Sequence, residues 1–232
     1  MTWRAALLLL LALAFAASPL LVPGFGGFEP GQFPVPQEDP PVQPAGYAFS
    51  IWGVIYLWLL ASAGYGLWRR REDAGWDAPR GPLMLSLGVG AAWLPVALRS
   101  PLWATVLIWA MLLGALWALL RSPARDRWLL REPLGLYAGW LTAASAVAVG
   151  LIAAGWGVPP FGAEGWAAAA LLLGLAIAAG TAWRAGSVAY PVAVAWALVA
   201  VTVRNGPDAV GLLALAGAAA MAALAWLALR RA

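Results

Sequence analysis

Residues 44–65 read PAGYAFSIWGVIYLWLLASAGY. The stretch passes from a proline and a glycine into an apolar run that carries no charged residue. It has the length of a bilayer crossing, about 20 mainly apolar residues, and lacks the period-two alternation of a barrel strand. Backbone groups in hydrocarbon must be satisfied within the segment, so the run forms a helix. Yet Phe49, Trp52 and Tyr56 recur at i, i+3 and i+7, which is one face of that helix. A helix that only crosses a membrane does not need rings there. They are filler, interfacial anchors or one wall of a binding pocket.

The rest of the chain has the same character. Of its 232 residues 63% are hydrophobic and only 10% charged, the composition of a polytopic membrane protein. Apolar segments fall at approximately 4–22, 47–68, 82–98, 102–120, 133–155, 165–183, 188–203 and 209–229. The expected fold is therefore all-α, with about eight transmembrane helices. Between the first two segments lies a loop, 23–46, that contains Pro23, Pro30, Pro34, Pro36, Pro40, Pro41 and Pro44 and no Arg. Its prolines favour a stiff, extended path. The other connections are short, so sequential helices are antiparallel neighbours. The first segment has the basic start and apolar core of a signal peptide. Its apolar run continues to Pro23, which suits an uncleaved span better.

Absent residue types exclude several functions. The chain has no His, no Cys and no Lys; all 14 basic residues are Arg. Without Lys there is no Schiff-base retinal site. Without His and Cys the commonest haem and transition-metal ligands are missing, as are Cys–His and Ser–His nucleophiles. No phosphate-binding glycine loop or carboxylate pair within a span appears. The arginines also orient the chain: Arg99 and Arg204 fall at one side of eight spans, and the other twelve at the opposite side. By the positive-inside rule both termini are expected in the cytoplasm and the proline-rich loop outside. The net charge of +4 thus reflects topology, with no stripe for nucleic acid.

Sixteen tryptophans are a second anomaly. Trp3, Trp68, Trp128, Trp156, Trp166, Trp183 and Trp226 lie near expected helix ends, where indoles anchor in the headgroup zone. Trp52, Trp93, Trp109, Trp140 and Trp196 sit deeper. An indole N–H in hydrocarbon needs a partner, so these are expected at helix interfaces or a cavity; lipid-facing packing is the plainer alternative.

The stretch at 44–65 resembles the second-helix motif of the TspO/MBR family, the translocator proteins or tryptophan-rich sensory proteins, on Pro44, Gly46, Tyr47, Phe49, Trp52 and Tyr56. LGVGAAWLPVAL at 87–98 resembles the third-helix motif on Trp93. EPLGLYAGWLTAASA at 132–146 resembles the fifth-helix motif on Pro133, Tyr137, Trp140 and Ala144. The resemblance covers about residues 1–155 and implies a five-helix bundle there. Residues 156–232, including SVAYPVAVAWALVAV, then look like three additional helices of a longer bacterial branch. The chain departs from the pattern at Gly90 and Ala148, where the family usually has Asn, and by one residue fewer between Phe49 and Trp52.

The resemblance implies a bundle, often dimeric, that binds flat hydrophobic molecules such as porphyrins in a cavity under the first loop. No cofactor is required, and a bound porphyrin is allowed for. Ligand-binding candidates are Tyr47, Phe49, Trp52, Tyr56, Trp93, Tyr137 and Trp140. Arg99 joins them as a partner for a ligand carboxylate such as a propionate; a solvated helix end is its plainer role. Pro133, Tyr137 and Trp140 again share one helical face. The alternative for all these rings is a packed core. Gly135 and Gly139 form a small-xxx-small pair for close helix approach, within the chain or between copies. Glu132 is the acid at a helix start.

The function these readings favour is a binding or sensory protein in the bacterial inner membrane for an aromatic, porphyrin-like ligand. A transporter or facilitator of small lipophilic solutes is the alternative, although the spans lack the ionisable residues that ion coupling uses. Enzymatic breakdown of a bound pigment would have to rely on Trp and light.

Overall fold

A computed structural model describes residues 2–22 and 26–231; Pro23, the first of the loop prolines, lies outside them. Among the described residues there is no strand, and eight long helices and one short one follow in order. They are α1 (Thr2–Leu21), α2 (Ile51–Arg69), α3 (Ala74–Asp77), α4 (Arg80–Ala97), α5 (Pro101–Arg121), α6 (Arg131–Gly155), α7 (Ala163–Ala185), α8 (Ala189–Asn205) and α9 (Ala209–Arg230). Each long helix lies within a few residues of an expected segment. Six, including α2 with its lead-in turn, are long and apolar enough to cross a bilayer. The apolar α8 is shorter, and α4, at 18 residues, rises roughly 27 Å.

Local chemistry sets several helix ends. Ser100 caps α5 by accepting from the Trp103 amide, with Pro101 in the first turn. Asp208 caps α9, 2.7 Å from the Gly211 amide. Gly186 and Gly206, both at positive φ, follow α7 and α8. The short α3 was not expected. Asp73 starts it by accepting from the Gly75 and Trp76 amides, in a link too polar for hydropathy to register.

The axis of the bundle is α6, which packs against α2, α5, α7 and α8 and is the most deeply buried of the spans. On one side α1 lies on α2 and α4, and α4 on α5; on the other α8 and α7 pack with α9. Gly135 and Gly139 explain the approach of α8. A Cβ at Gly135 would overlap the Ser187 side chain, and one at Gly139 would overlap the Tyr190 carbonyl. Within this chain, the small-residue pair joins α6 to α8.

The two ends of the bundle are built differently. At one end the arginines form ion pairs. Arg80, 2% exposed, donates to the carbonyls of Gly66, Arg70 and Arg71, closing the C-terminus of α2, and to Asp77. Arg4 of α1 also pairs with Asp77. Arg70 donates to Asp126 at 2.7 Å, and Trp76 Nε1 does so at 2.9 Å. The Arg70 hydrogen bond, opposed by partial burial and aided by Trp76, holds the Asp126 carboxyl below its usual range. Glu132, fully buried, is more than a helix-start acid. It accepts from Arg127 Nε at 2.5 Å, Ser187 Oγ at 2.7 Å and the Ala189 amide at 2.8 Å. One carboxylate thereby ties the start of α6 to the α7–α8 turn.

At the opposite end the proline-rich loop lies across the bundle. The Gln32 side chain donates to the Ala97 and Leu98 carbonyls at the end of α4. The Val35 amide donates to Gly155 O of α6, and the Ala45 amide to Ala200 O of α8. Arg204 reaches Asp39 at 2.7 Å and Asn205 reaches the Pro41 carbonyl at 2.9 Å. The C-terminal end of α8 therefore fastens the loop.

Candidate functional site

At the loop end of the bundle, between α1, α2, α4, α5 and α6, lies a hollow of about 300 Å³. Part of its wall is built from residues that the sequence singles out. The chain enters α2 through a 3₁₀ turn, Gly46–Ser50, so Phe49 precedes the α-helix proper. Three residues per turn still bring Phe49 over Trp52. Phe49, Trp52 and Tyr56 line the hollow together with Trp93 of α4 and Trp140 of α6. Trp93 is held by its Nε1, which donates to the Ala104 carbonyl of α5 at 2.8 Å.

The rings contact one another as well as the hollow. Trp52 and Tyr56 are stacked, with centroids 5.3 Å apart. Trp140 meets Phe49 at 5.9 Å and Trp52 at 6.1 Å, both edge to face. Such pairs hold their geometry by about 0.5–1.5 kcal/mol beyond area burial. The same rings therefore pack on one another and border empty space. Trp140 is 3% exposed, and its Nε1 is buried without a hydrogen-bond partner among the described residues.

Three candidates lie elsewhere. Tyr137 is fully buried, bonded to Ser86 Oγ at 2.9 Å and packed edge to face on Phe15; it supports the ring cluster from behind. Tyr47 is 45% exposed and meets Trp196 of α8 at 5.4 Å, because the 3₁₀ turn directs it away from Phe49. Trp196 in turn donates to the Ala48 carbonyl at 3.0 Å. Arg99 is exposed at the end of α4 and donates to the Pro95 carbonyl one turn back. It matches the solvated helix end.

Sequence reasoning missed Phe15. It lines the hollow and lies edge to face on Trp52, Tyr56 and Tyr137 at 5.8, 5.1 and 5.7 Å. Gly90 makes this possible. A Cβ there would stand 2.6 Å from the Phe15 ring and 2.9 Å from Met111 Cε. The departure from Asn at this position therefore coincides with an aromatic ring from α1 taking the space. The available signal was that Phe15 is the one aromatic residue in the Ala and Leu run from Ala5 to Ala17 of α1.

A second, smaller cavity of about 100 Å³ adjoins the hollow between α6, α7 and α8. The two share Phe49, Trp93, Ile108, Trp140 and Ala144 as walls. Gly27, Phe28, Gln43 and Pro44 of the loop line the smaller one. Ala148 also lines it, so the second departure from Asn leaves an apolar surface there.

The family model described as TSPO-like protein matches residues 35–229. The chain belongs to that family. With its apolar spans, this TSPO-like chain is a multi-pass membrane protein. The match runs from the loop through α9 and so takes in the last three helices together with α2–α6. No curated protein and no solved structure matches the chain.

Proposed function

We propose that this TSPO-like protein binds a hydrophobic aromatic ligand, of the porphyrin or tetrapyrrole class, in the ring-lined hollow. The observation that carries the reading is that Phe49, Trp52, Tyr56, Trp93 and Trp140, drawn from three separate helices, share one hollow. Flat aromatic faces stack on a conjugated macrocycle, and cavities between bundle helices are natural sites for apolar ligands. The shared wall of Phe49, Trp93 and Trp140 supports a ligand that spreads from one cavity into the next by turning the Phe49 and Trp140 rings. The closed, ion-paired opposite end favours binding over passage through the bundle. We place the protein in the bacterial inner membrane, with its termini and arginine-rich end in the cytoplasm, because twelve of fourteen arginines fall on that side.

Titration of the purified protein with protoporphyrin tests the proposal. Saturable quenching of Trp fluorescence and a shifted Soret band are expected, both weakened in Trp140→Ala. Absence of saturation in the wild type would overturn the reading.

A further inference from the structure

A second site lies at the arginine-rich end, remote from the hollow. The α5–α6 link, the last turns of α7 and α9 and the start of α6 enclose a pocket of about 200 Å³. Among the described residues, Arg127, Arg131 and Arg231 line it, and no acid does. Each guanidinium is positioned from behind. Arg127 is held through its Nε by Glu132, Arg131 donates to the Ser122 carbonyl at 2.8 Å, and Arg231 lies over the Trp183 ring at 4.7 Å. Arg127 Nη2 and Arg131 Nε are buried with no acceptor among the described residues. Buried guanidinium donors ordinarily have acceptors, so this pocket presents positive charge and unmet donors together. Glu132 neutralises one arginine and leaves an excess of two. The remaining wall is apolar, with Leu224, Leu227 and Ala182 among its residues.

We infer that this pocket binds a phosphate group, with the headgroup of an anionic phospholipid as the source its apolar wall and membrane-edge position favour. Guanidinium forks match phosphate oxygens in geometry and charge, and basic pockets between transmembrane helices take such headgroups. Leu224 and Leu227 then lie beside the first methylenes of an acyl chain. The inference does not depend on what occupies the hollow.

The protein in maltoside micelles is titrated with phosphatidylglycerol or phosphatidylcholine, and retained lipid is counted by native mass spectrometry. In parallel, inorganic phosphate is titrated and its binding read by ³¹P line broadening. Preferential retention of phosphatidylglycerol, reduced about fivefold in Arg231→Gln and further in Arg131→Gln/Arg231→Gln, supports the lipid source; about fivefold per arginine is the usual worth of such contacts. Saturable phosphate binding with the same loss, and no lipid preference, assigns the site to free phosphate. Binding of neither, or binding unchanged by Arg231→Gln, overturns the proposal. Arg231 is exposed beyond the end of α9, so the single variant keeps the test valid if the double variant does not fold.

Discussion

The two ends of the bundle solve opposite problems. At the arginine-rich end, charged side chains are taken out of water and paired: Arg80 on helix carbonyls, Glu132 between Arg127 and Ser187. At the loop end rings from several helices meet, and their packing leaves a hollow. Directional bonds to fixed partners leave little freedom to rearrange, and losing a partner strands a charge. Ring contacts are individually weaker and tolerate rotation. Stability should therefore reside mainly at one end and ligand affinity at the other.

The largest expected effect breaks the first half of that contrast. Glu132→Ala leaves Arg127 buried without its carboxylate and frees the α7–α8 turn, a loss of about 3–5 kcal/mol for a broken buried pair. Reversible unfolding in mixed micelles measures it, and a wild-type midpoint would show that the arginine end is not the stabilising one. Next, Gly139→Leu drives α8 off α6, with overpacking costing about 1–3 kcal/mol. The same unfolding assay should fall while the Soret shift with protoporphyrin survives in the folded fraction.

At the loop end the ordering reverses. Trp52→Leu keeps apolar bulk but removes a flat face, so protoporphyrin affinity should drop roughly two- to tenfold with little change in unfolding midpoint. A midpoint that falls as far as in Glu132→Ala would erase the distinction between the ends.

A smaller effect depends on pH. Asp126 titrates below its usual range because Arg70 hydrogen-bonds its charged form. A lowered folded-state value means that its stabilisation is present above the unfolded carboxyl value and is lost as pH falls through the folded one. Wild type should therefore lose midpoint at acid pH more steeply than Asp126→Asn. The least effect is expected for Arg204→Gln, whose partner Asp39 is almost fully exposed. A surface pair contributes about 0–1 kcal/mol, to be read as a small rise in proteolysis of the loop.

Much of the framework was legible in sequence, because apolar length and arginine position mark the spans without knowledge of their neighbours. Phe49, Trp52 and Tyr56 were assigned to one face, and they do share a wall. Tyr47 and Tyr137 lie off that wall for different reasons. A 3₁₀ turn rotated Tyr47 toward Trp196, and Ser86 of α4 drew the Tyr137 hydroxyl into the core. Neither the turn type nor the partner is encoded within one helical period. Phe15 went unnoticed because its place depends on the missing side chain of Gly90, far along the chain.

Sequence by itself determined the helices, since in hydrocarbon each span must satisfy its amides locally, and hydropathy reports that requirement residue by residue. Only the tertiary structure decided where rings meet around empty space and which arginines are buried. Those outcomes depend on volumes and partners contributed by distant segments, such as Gly90 yielding to Phe15 and Ser187 meeting Glu132.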